Sequence, residues 1–373
     1  MGLGKYRNKP CRCGSWDKYK DCHLNRDDGE IIKVREVDKL IRKNYSKRKC
    51  MVPDQLRHKC TKKIISAHTV SKSSNLKLIQ RDWHVYSYKW SISKLQENGG
   101  SPKFELVWIN EASTFYWFCD FHDSKLFEPI EKYPLTLTME QLFLLSYRVL
   151  AKEVYNKYGV LDFFKENSDL DKGRAPLEQL DIQQFLQTFS IWTELAINDL
   201  NKILVTYNNS LINQSYEPDN YVYYYMILDS TPPIMCWWSV FPHYNFEWQL
   251  IQDIGDLEID LDEVALNSIS MPDNKWAFIF FARKTSSAIA FLESFDRIPS
   301  NLKIPTFIKF LFSYSENIFI KPDWWDNLAE NSKNILKLSQ AKAIHDIPSP
   351  TDIEPQNIEG VPLNIESIES NLI

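Results

Sequence analysis

WFCDFHDSKLFEPIE, residues 117–131, places Cys119, His122 and Asp123 within five positions. Two further cysteines, Cys50 and Cys60, bracket a short loop earlier in the chain. The N-terminus has no apolar stretch of the signal-peptide kind. Clustered cysteines in a chain without an export signal are more often metal ligands than disulfides. The quoted stretch is therefore expected to form one part of a metal-binding module.

An apolar strand that ends in a histidine is predicted between these two groups of residues. It lies in IISAHTVSKSSNLKLI (64–79), where a polar loop follows His68. The order is two cysteines, a strand ending in Ala-His, a long insertion at 80–110, and then Cys-x2-His-Asp. This order resembles the HNH, or His-Me finger, nuclease module in its zinc-stabilised form. Residues 67–70 match the Ala-His-Ile segment of that family, and residues 118–123 match its second knuckle and helix start.

The resemblance implies a ββα-metal-like (treble-clef) module at 50–134 and a set of roles. A structural zinc ion would be bound by Cys50, Cys60, Cys119 and His122. His58 is an alternative to one of these ligands. Phosphodiester hydrolysis needs a base with a near-neutral pKa and a divalent cation, so His68 is the implied general base. Asp123 is the implied ligand of Mg²⁺ or Mn²⁺.

Two other roles stay open for His68: a nucleic-acid or zinc contact without catalysis, and a buried structural role. Asp123 stands where the family usually has a metal-binding histidine, which favours a non-catalytic module. In either case phosphates are expected to be contacted by basic and hydroxyl side chains. These are Lys62, Lys63, Ser71, Lys72, Ser73 and Lys77. They read no base edges, so no sequence specificity is expected, and DNA is not distinguished from RNA.

A second metal module is predicted from PCRCGSWDKYKDCH (10–23), which has the spacing C-x-C-x8-C-H. Two ligands at each end of a short loop suit tetrahedral structural zinc, and Gly14 permits a tight turn after the first pair. The segment resembles the SEC-C motif, a small zinc module at the C-terminus of the SecA translocation ATPase and in many other bacterial proteins. We expect zinc bound by Cys11, Cys13, Cys22 and His23. The resemblance implies a docking surface for a partner and no catalysis.

The charges of the chain are divided unevenly along its length. Residues 1–90 carry 23 Lys and Arg against 9 Asp and Glu, whereas the other 283 residues carry 21 against 40. A basic part on an acidic body suggests nucleic acid as a partner, although a solvated lysine-rich surface is the alternative. No apolar run is long enough to span a membrane, so we expect no membrane partner and a cytoplasmic protein.

The acidic body has the pattern of a mixed domain. Helices are predicted from the capping box at 138–141 to Gly159, across 176–206 with Pro176 in the first turn, and within 304–340. Strands are predicted in NYVYYYMILDS (220–230), PIMCWWSVFP (233–242), KWAFIFFARK (275–284) and SAIAFLESF (287–295). The acidic run DIGDLEIDLDE (253–263) is expected to be a solvated loop or edge.

Together these observations predict a multidomain α+β protein. The expected parts are a SEC-C-like zinc module (1–28), a basic connector helix (29–49), the HNH-like module (50–134), an acidic α+β regulatory or recognition domain with an antiparallel sheet (135–345), and a mobile tail (346–373). The first functional hypothesis is a metal-dependent nuclease, with bacterial defence against phage as an analogy. The alternative is a non-catalytic adaptor that binds nucleic acid, ribosome or a protein partner, the latter through the SEC-C-like module or the acidic domain.

Overall fold

The structure is a computed structural model of the 373-residue chain. It describes residues 6–24, 26–70, 75–88, 91–100, 103–315, 317–345, 354–361 and 363–372. The helices are α1 Tyr19–Cys22, α2 Val34–Tyr45, α3 Lys77–Ile79, α4 Ile92–Glu97, α5 Asp120–Leu126, α6 Glu128–Glu131, α7 Met139–Glu166, α8 Pro176–Asn213, α9 Ser286–Asp296, α10 Ser300–Tyr314, α11 Pro322–Asn327 and α12 Glu330–His345. The strands are β1 Ala67–His68, β2 His84–Tyr88, β3 Phe104–Trp108, β4 Thr114–Phe115, β5 Tyr221–Leu228, β6 Ile234–Val240, β7 Val264–Ser270, β8 Trp276–Arg283, β9 Ile318–Ile320 and β10 Ile365–Ser370.

The chain divides into two compact units. Unit 1 comprises Met1–Lys47, Ser91–Gly100 and Val154–Asn201, and unit 2 comprises Arg48–Trp90, Ser101–Glu153 and Lys202–Ile373. Unit 1 is helical in its described part. Its helix α2 lies inside the predicted basic connector, and the Tyr155 hydroxyl donates a hydrogen bond of 3.0 Å to the Lys47 carbonyl oxygen. Gly159 lies against the last turn of α2, where an added Cβ would be 3.5 Å from the Asn44 carbonyl oxygen.

Unit 2 is built around an antiparallel sheet. Within the described residues it has eight strands in the order β10-β5-β8-β7-β6-β9-β2-β3, and β1 pairs separately with β4. Strands β5 to β8 are buried along nearly their whole length because both sheet faces are covered. On one face Phe280 packs against Phe295 of α9, and Phe278 stacks on Phe307 of α10. On the other face Tyr221 lies against Tyr207 of α8.

Most predicted elements of the body are confirmed. The capping box forms at the start of α7, where the Gln141 amide donates to the Thr138 hydroxyl at 3.3 Å. Pro176 is the first residue of α8, and β5, β6 and β8 lie inside the predicted strands. The predicted helix end at Gly159 is wrong, because α7 continues to Glu166.

The strand predicted at 287–295 is wrong, because this segment is helix α9. Its N-cap is Thr285, whose hydroxyl accepts a hydrogen bond from the Ala288 amide at 3.3 Å. The apolar side chains Ala288, Phe291, Leu292 and Phe295 then share one helical face and are buried. A run of nine mostly apolar residues is compatible with a buried strand and with a buried helix, and the cap decides between them.

Strand pairing also connects segments that the sequence analysis assigns to different domains. Strands β2 and β3 lie in the predicted 50–134 module, yet β2 pairs with β9, so this sheet extends across residue 134. Strand β10 lies in the predicted mobile tail and pairs with β5. Among the described residues, no helix combines the length and apolar character needed to cross a bilayer.

Candidate metal centres and the predicted catalytic residues

Four predicted ligands converge in unit 1, in a cluster that we call metal centre 1. Its members are Cys11, Cys13, Cys22 and His23. Gly14 turns the chain after the first pair with a φ of 78°, which favours glycine, and the short helix α1 carries Cys22. His23 Nδ1 lies 3.2 Å from Cys11 Sγ and 3.1 Å from Cys22 Sγ. The ligand atoms of the cluster all lie within 4.8 Å of one another.

The second ring nitrogen of His23 is held by a residue far away in sequence. His23 Nε2 and Asp171 Oδ2 are 2.7 Å apart, and Asp171 is fully buried in the segment between α7 and α8. The Arg26 guanidinium lies 2.9 Å from Asp171 Oδ1. Burial lowers the pKa of His23, so the neutral ring is favoured. A ring that donates from Nε2 to a carboxylate presents Nδ1 as a metal ligand.

The other four predicted ligands converge in unit 2, in metal centre 2. Its members are Cys50, Cys60, Cys119 and His122. His122 Nδ1 lies 3.1 Å from Cys119 Sγ and 3.4 Å from Cys50 Sγ. Cys119 is the N-cap of α5 and also forms a β-bridge with Ile64. His122 Nε2 lies 3.1 Å from the Leu56 carbonyl oxygen, so this ring also presents Nδ1 to the cluster.

The donor sets of both centres fit a structural metal ion. Three sulfurs and one nitrogen at about 2.0–2.3 Å from a tetrahedral ion lie about 3.5–3.8 Å apart, close to the distances observed. In each centre one thiol has a lowered pKa. Burial raises the pKa of Cys119, but amide hydrogen bonds from His122 and Thr61 outweigh it and lower the pKa to about 6. Burial likewise raises the pKa of Cys13, and hydrogen bonds from Ser15 lower it overall. Both clusters could therefore hold a metal ion such as zinc.

His68 lies on β1, which pairs antiparallel with β4 in unit 2. It pairs with Thr114, and its neighbours Ala67 and Thr69 are buried while His68 itself is half-buried. The pairing of these two segments continues beyond the strands, where the Val70 amide donates a hydrogen bond to the Ser113 hydroxyl at 2.8 Å. Among the described residues, the two metal centres are the groups of three or more potential ligands, and neither contains His68.

Asp123 follows the ligand His122 on α5 and is buried. Burial raises the pKa of its carboxyl; the Arg148 guanidinium opposes this shift, and the Glu131 carboxylate adds to it. Arg148 is itself buried, donates to Glu131 Oε1 at 2.6 Å and stacks 3.9 Å from the Phe127 ring centroid. Within the described chain Asp123 belongs to no group of three or more potential ligands, and its role as a ligand of Mg²⁺ or Mn²⁺ stays a prediction.

The predicted phosphate-binding residues are described in part. Lys62, Lys63 and Lys77 are exposed, and Lys63 Nζ lies 3.6 Å from Asp120 Oδ2. Ser71, Lys72 and Ser73 lie outside the described residues. His58 is exposed, and its Nδ1 lies 2.9 Å from the Gln55 carbonyl oxygen; metal centre 2 forms without it.

Sequence reasoning missed Asp171, which supports the ligand His23, and Asn75, which makes a tertiary contact with β7. Asp171 lies in DLDKGR, where acidic residues next to glycine indicate only a turn. Asn75, seven positions after His68, is buried and accepts a hydrogen bond of 3.2 Å from the Ser270 amide. No residue type at these positions signals a supporting role, because the role depends on a partner more than 100 residues away.

Comparisons with protein-family models, with curated proteins and with solved structures gave no match. The likeness to SEC-C and HNH modules therefore rests on the two ligand sets, their spacing and their geometry.

Proposed function

We propose that this chain is a zinc-stabilised nucleic-acid-binding protein. The observation that carries the proposal is the surface around metal centre 2. The loop at 57–63, which supplies the ligand Cys60, presents four exposed cations. They are Arg57, Lys59, Lys62 and Lys63. A metal ion at Cys60 would hold this loop, which we call the basic loop, in one conformation, so little ordering entropy is lost on binding.

The charges of the basic loop are only partly neutralised. Arg57 pairs with Asp54 at 2.9 Å, and Lys63 lies near Asp120. No ion pair with Lys59 or Lys62 exists within the part of the chain that the structure describes. Exposed unpaired cations bind phosphates with release of counterions. This electrostatic contribution to affinity does not depend on the nucleotide sequence. The excess of Lys and Arg in residues 1–90 supports the same partner.

Zinc is the metal that the donor sets favour. Thiolate and imidazole ligands in a Cys3His set suit Zn²⁺, whereas Mg²⁺ and Mn²⁺ prefer oxygen ligands. Four protein ligands leave no open position for a water or substrate, so each ion has a structural role. The chain's own part is to hold the ligands through the amides of Cys119 and His122, which lie 3.4 and 3.5 Å from ligand sulfurs.

The test is binding of a fluorescent 20-base-pair duplex and of its single strand to the full-length chain, across a range of salt concentrations. The double variant Lys59→Ala/Lys62→Ala should weaken binding and reduce the slope of log K against log salt by about 1–2. Lys103→Ala, at an exposed lysine of unit 2, is the matched control. Equal slopes for the double variant and the control would refute the proposed surface.

A second candidate, an HNH-like hydrolase, is favoured by one observation. Strand β1 pairs with β4 across the insertion that contains β2 and β3, and α5, which carries His122, follows β4; this arrangement is similar to the ββα order that the resemblance implies. In this candidate His68 takes a proton from water. Asp123, whose carboxyl is buried near the Arg148 guanidinium, takes no part in this step.

The hydrolase candidate is tested by cleavage of labelled RNA and DNA with added Mg²⁺ or Mn²⁺. Loss of a positioned base should reduce cleavage by His68→Ala about 100- to 10,000-fold, with zinc content and nucleic-acid affinity unchanged. His58→Ala, at an exposed histidine, should cleave like the wild type. No cleavage by the wild type, or equal cleavage by both variants, would refute the hydrolase candidate. Nucleic-acid binding would then be the remaining proposed function.

A further inference from the structure

Unit 1 contains a cavity beside metal centre 1 that combines aromatic and cationic side chains. Its volume is about 460 Å³, which is in the range of small-ligand sites, and it is open to solvent on one side. It is lined by Tyr6, Lys9, Pro10, Arg12, Tyr19 and Leu180. Among the described residues no carboxylate lines it, and Lys9 and Arg12 give it a positive charge.

The cations and rings of the cavity occur as adjacent pairs. The Lys9 ammonium lies over the Tyr6 ring, 5.4 Å from its centroid, and the Arg12 guanidinium lies over the Tyr19 ring, 5.7 Å from its centroid, so in each pair a base would stack on the other ring face. Within the described residues neither cation forms an ion pair with a carboxylate. A flat ring next to an unpaired cation suits a ligand that combines a planar base with a phosphate.

The cavity is held in place by the same chain segments that supply the metal ligands. The Tyr19 amide donates to the Lys9 carbonyl oxygen at 2.8 Å, and the Lys20 amide donates to that of Arg7 at 2.9 Å. Arg12 lies between two ligand cysteines, and Tyr19 begins the helix that carries Cys22. A metal ion at centre 1 therefore fixes both ring–cation pairs before a ligand arrives.

We propose that this cavity binds unpaired nucleotides of a single-stranded nucleic acid. A base stacks on Tyr6 or Tyr19, and the adjoining phosphates contact Lys9 and Arg12. In a duplex the base faces are stacked on each other and closed to the tyrosines, so the cavity selects single strands. This inference rests on the proposed nucleic-acid binding, and it assigns to unit 1 a site separate from the basic loop of unit 2.

The experiment measures fluorescence anisotropy of labelled U12, T12 and a 12-base-pair duplex with zinc-loaded full-length protein. Tyr6→Ala should weaken single-strand binding at least five-fold, since one base–aromatic stack is lost, and should leave duplex binding unchanged. Tyr133→Ala, at an exposed tyrosine of unit 2, is the matched control. Tyr6 is 53% exposed, so its removal leaves the fold intact, and a zinc content equal to that of the wild type verifies this.

Further arms separate this inference from the proposed function and from a free nucleotide as ligand. Tyr6→Ala with single-strand affinity equal to Tyr133→Ala would overturn the cavity site, while binding through the basic loop could still stand. Loss in Tyr6→Ala but not in Lys59→Ala/Lys62→Ala would support the cavity and refute the basic loop. If uridine monophosphate binds as tightly as U12, the ligand of the cavity is a free nucleotide, and the proposal of a single-stranded nucleic acid is refuted.

Discussion

The two metal centres have the same donors but different supports. In both, three cysteines and a histidine converge, and the histidine presents Nδ1 to the cluster. In centre 1, the Nε2 atom of His23 meets the carboxylate of Asp171, 148 positions away. In centre 2, the Nε2 atom of His122 meets the backbone carbonyl of Leu56, which lies between two of the ligand cysteines.

The difference shows two ways in which a metal ion can tie distant segments together. The ligands of centre 1 lie within one short segment, so what connects this centre to a distant segment is the hydrogen bond between His23 and Asp171. The ligands of centre 2 are up to 72 positions apart, so the metal ion itself closes a long loop of unit 2. Loop-closure entropy grows with loop length, and a ligand that closes the longer loop is expected to contribute more to folding.

The largest expected effect is the loss of one ligand cysteine. Cys119→Ser should lose one zinc ion and unfold unit 2, because Cys119 is fully buried and also caps α5. Cys22→Ser should also lose one zinc ion, but it should keep the near-ultraviolet circular dichroism of the aromatic core of unit 2. Elemental analysis and dichroism of both variants check this. Equal loss of the aromatic signal in both variants would contradict the claim that the metal ion of centre 2 contributes more to folding than that of centre 1.

The stability of unit 2 is expected to depend on pH, because the carboxyl of Glu263, the residue before β7, is buried. Burial raises the pKa of this carboxyl from 4.5 to about 7, although the Ser239 hydroxyl, at 2.7 Å, and Arg283 oppose the shift. Between pH 4.5 and 7 the Glu263 carboxyl is protonated in the folded chain and ionised in the unfolded chain. The free energy of unfolding therefore falls as the pH rises through this range. The full cost above pH 7 is up to about 3 kcal/mol.

Glu263→Gln should remove this cost, since the amide oxygen can still accept from Ser239. Denaturant unfolding should show the variant more stable than the wild type at pH 8.5 and equal to it near pH 5. Glu247→Gln, at a carboxylate that is more exposed and pairs with Arg297, is the control and should show no such gain. A wild-type stability that does not decline between pH 5 and 8.5 would contradict the assignment.

Glu263 also illustrates what the sequence could and could not predict. It closes the acidic run 253–263, which we expected to be solvated, yet it is buried and accepts a hydrogen bond from the Ser239 hydroxyl of β6. The ligands of centre 1 were predictable from residue type and local spacing, whereas those of centre 2, up to 72 positions apart, were implied by the resemblance to the HNH module. The support of His23 by Asp171 and the contact of Asn75 with β7 were not predictable, because each depends on a tertiary contact that leaves no local pattern. The pairing of β2 with β9 escaped prediction for the same reason.

A smaller effect is expected from the support that distinguishes the two centres. Asp171→Asn keeps a hydrogen-bond acceptor for His23 Nε2 but removes the negative charge that makes the ring a stronger ligand. Zinc affinity of centre 1 should fall about 10- to 100-fold, with centre 2 unchanged. Competition with a chromogenic chelator measures this as one zinc ion released at lower chelator concentration. Asp169→Asn, at an exposed partner of Arg26, is the control and should release both ions like the wild type.

The smallest effects are expected from the turns beside the ligands. Gly14 follows Cys13 with a φ of 78°, and Lys62 follows Cys60 by two positions with a φ of 65°. A side chain in this left-handed region costs about 1 kcal/mol or more, so Gly14→Ala should destabilise unit 1 by about that amount. Lys62→Gly relieves the same strain in unit 2, but glycine gains entropy in the unfolded chain, and the net change should stay below about 0.5 kcal/mol. Denaturant unfolding with zinc present measures both changes. A loss in Lys62→Gly as large as that in Gly14→Ala would mean that Lys62 stabilises its turn through its side chain, and the two turns would then differ in kind.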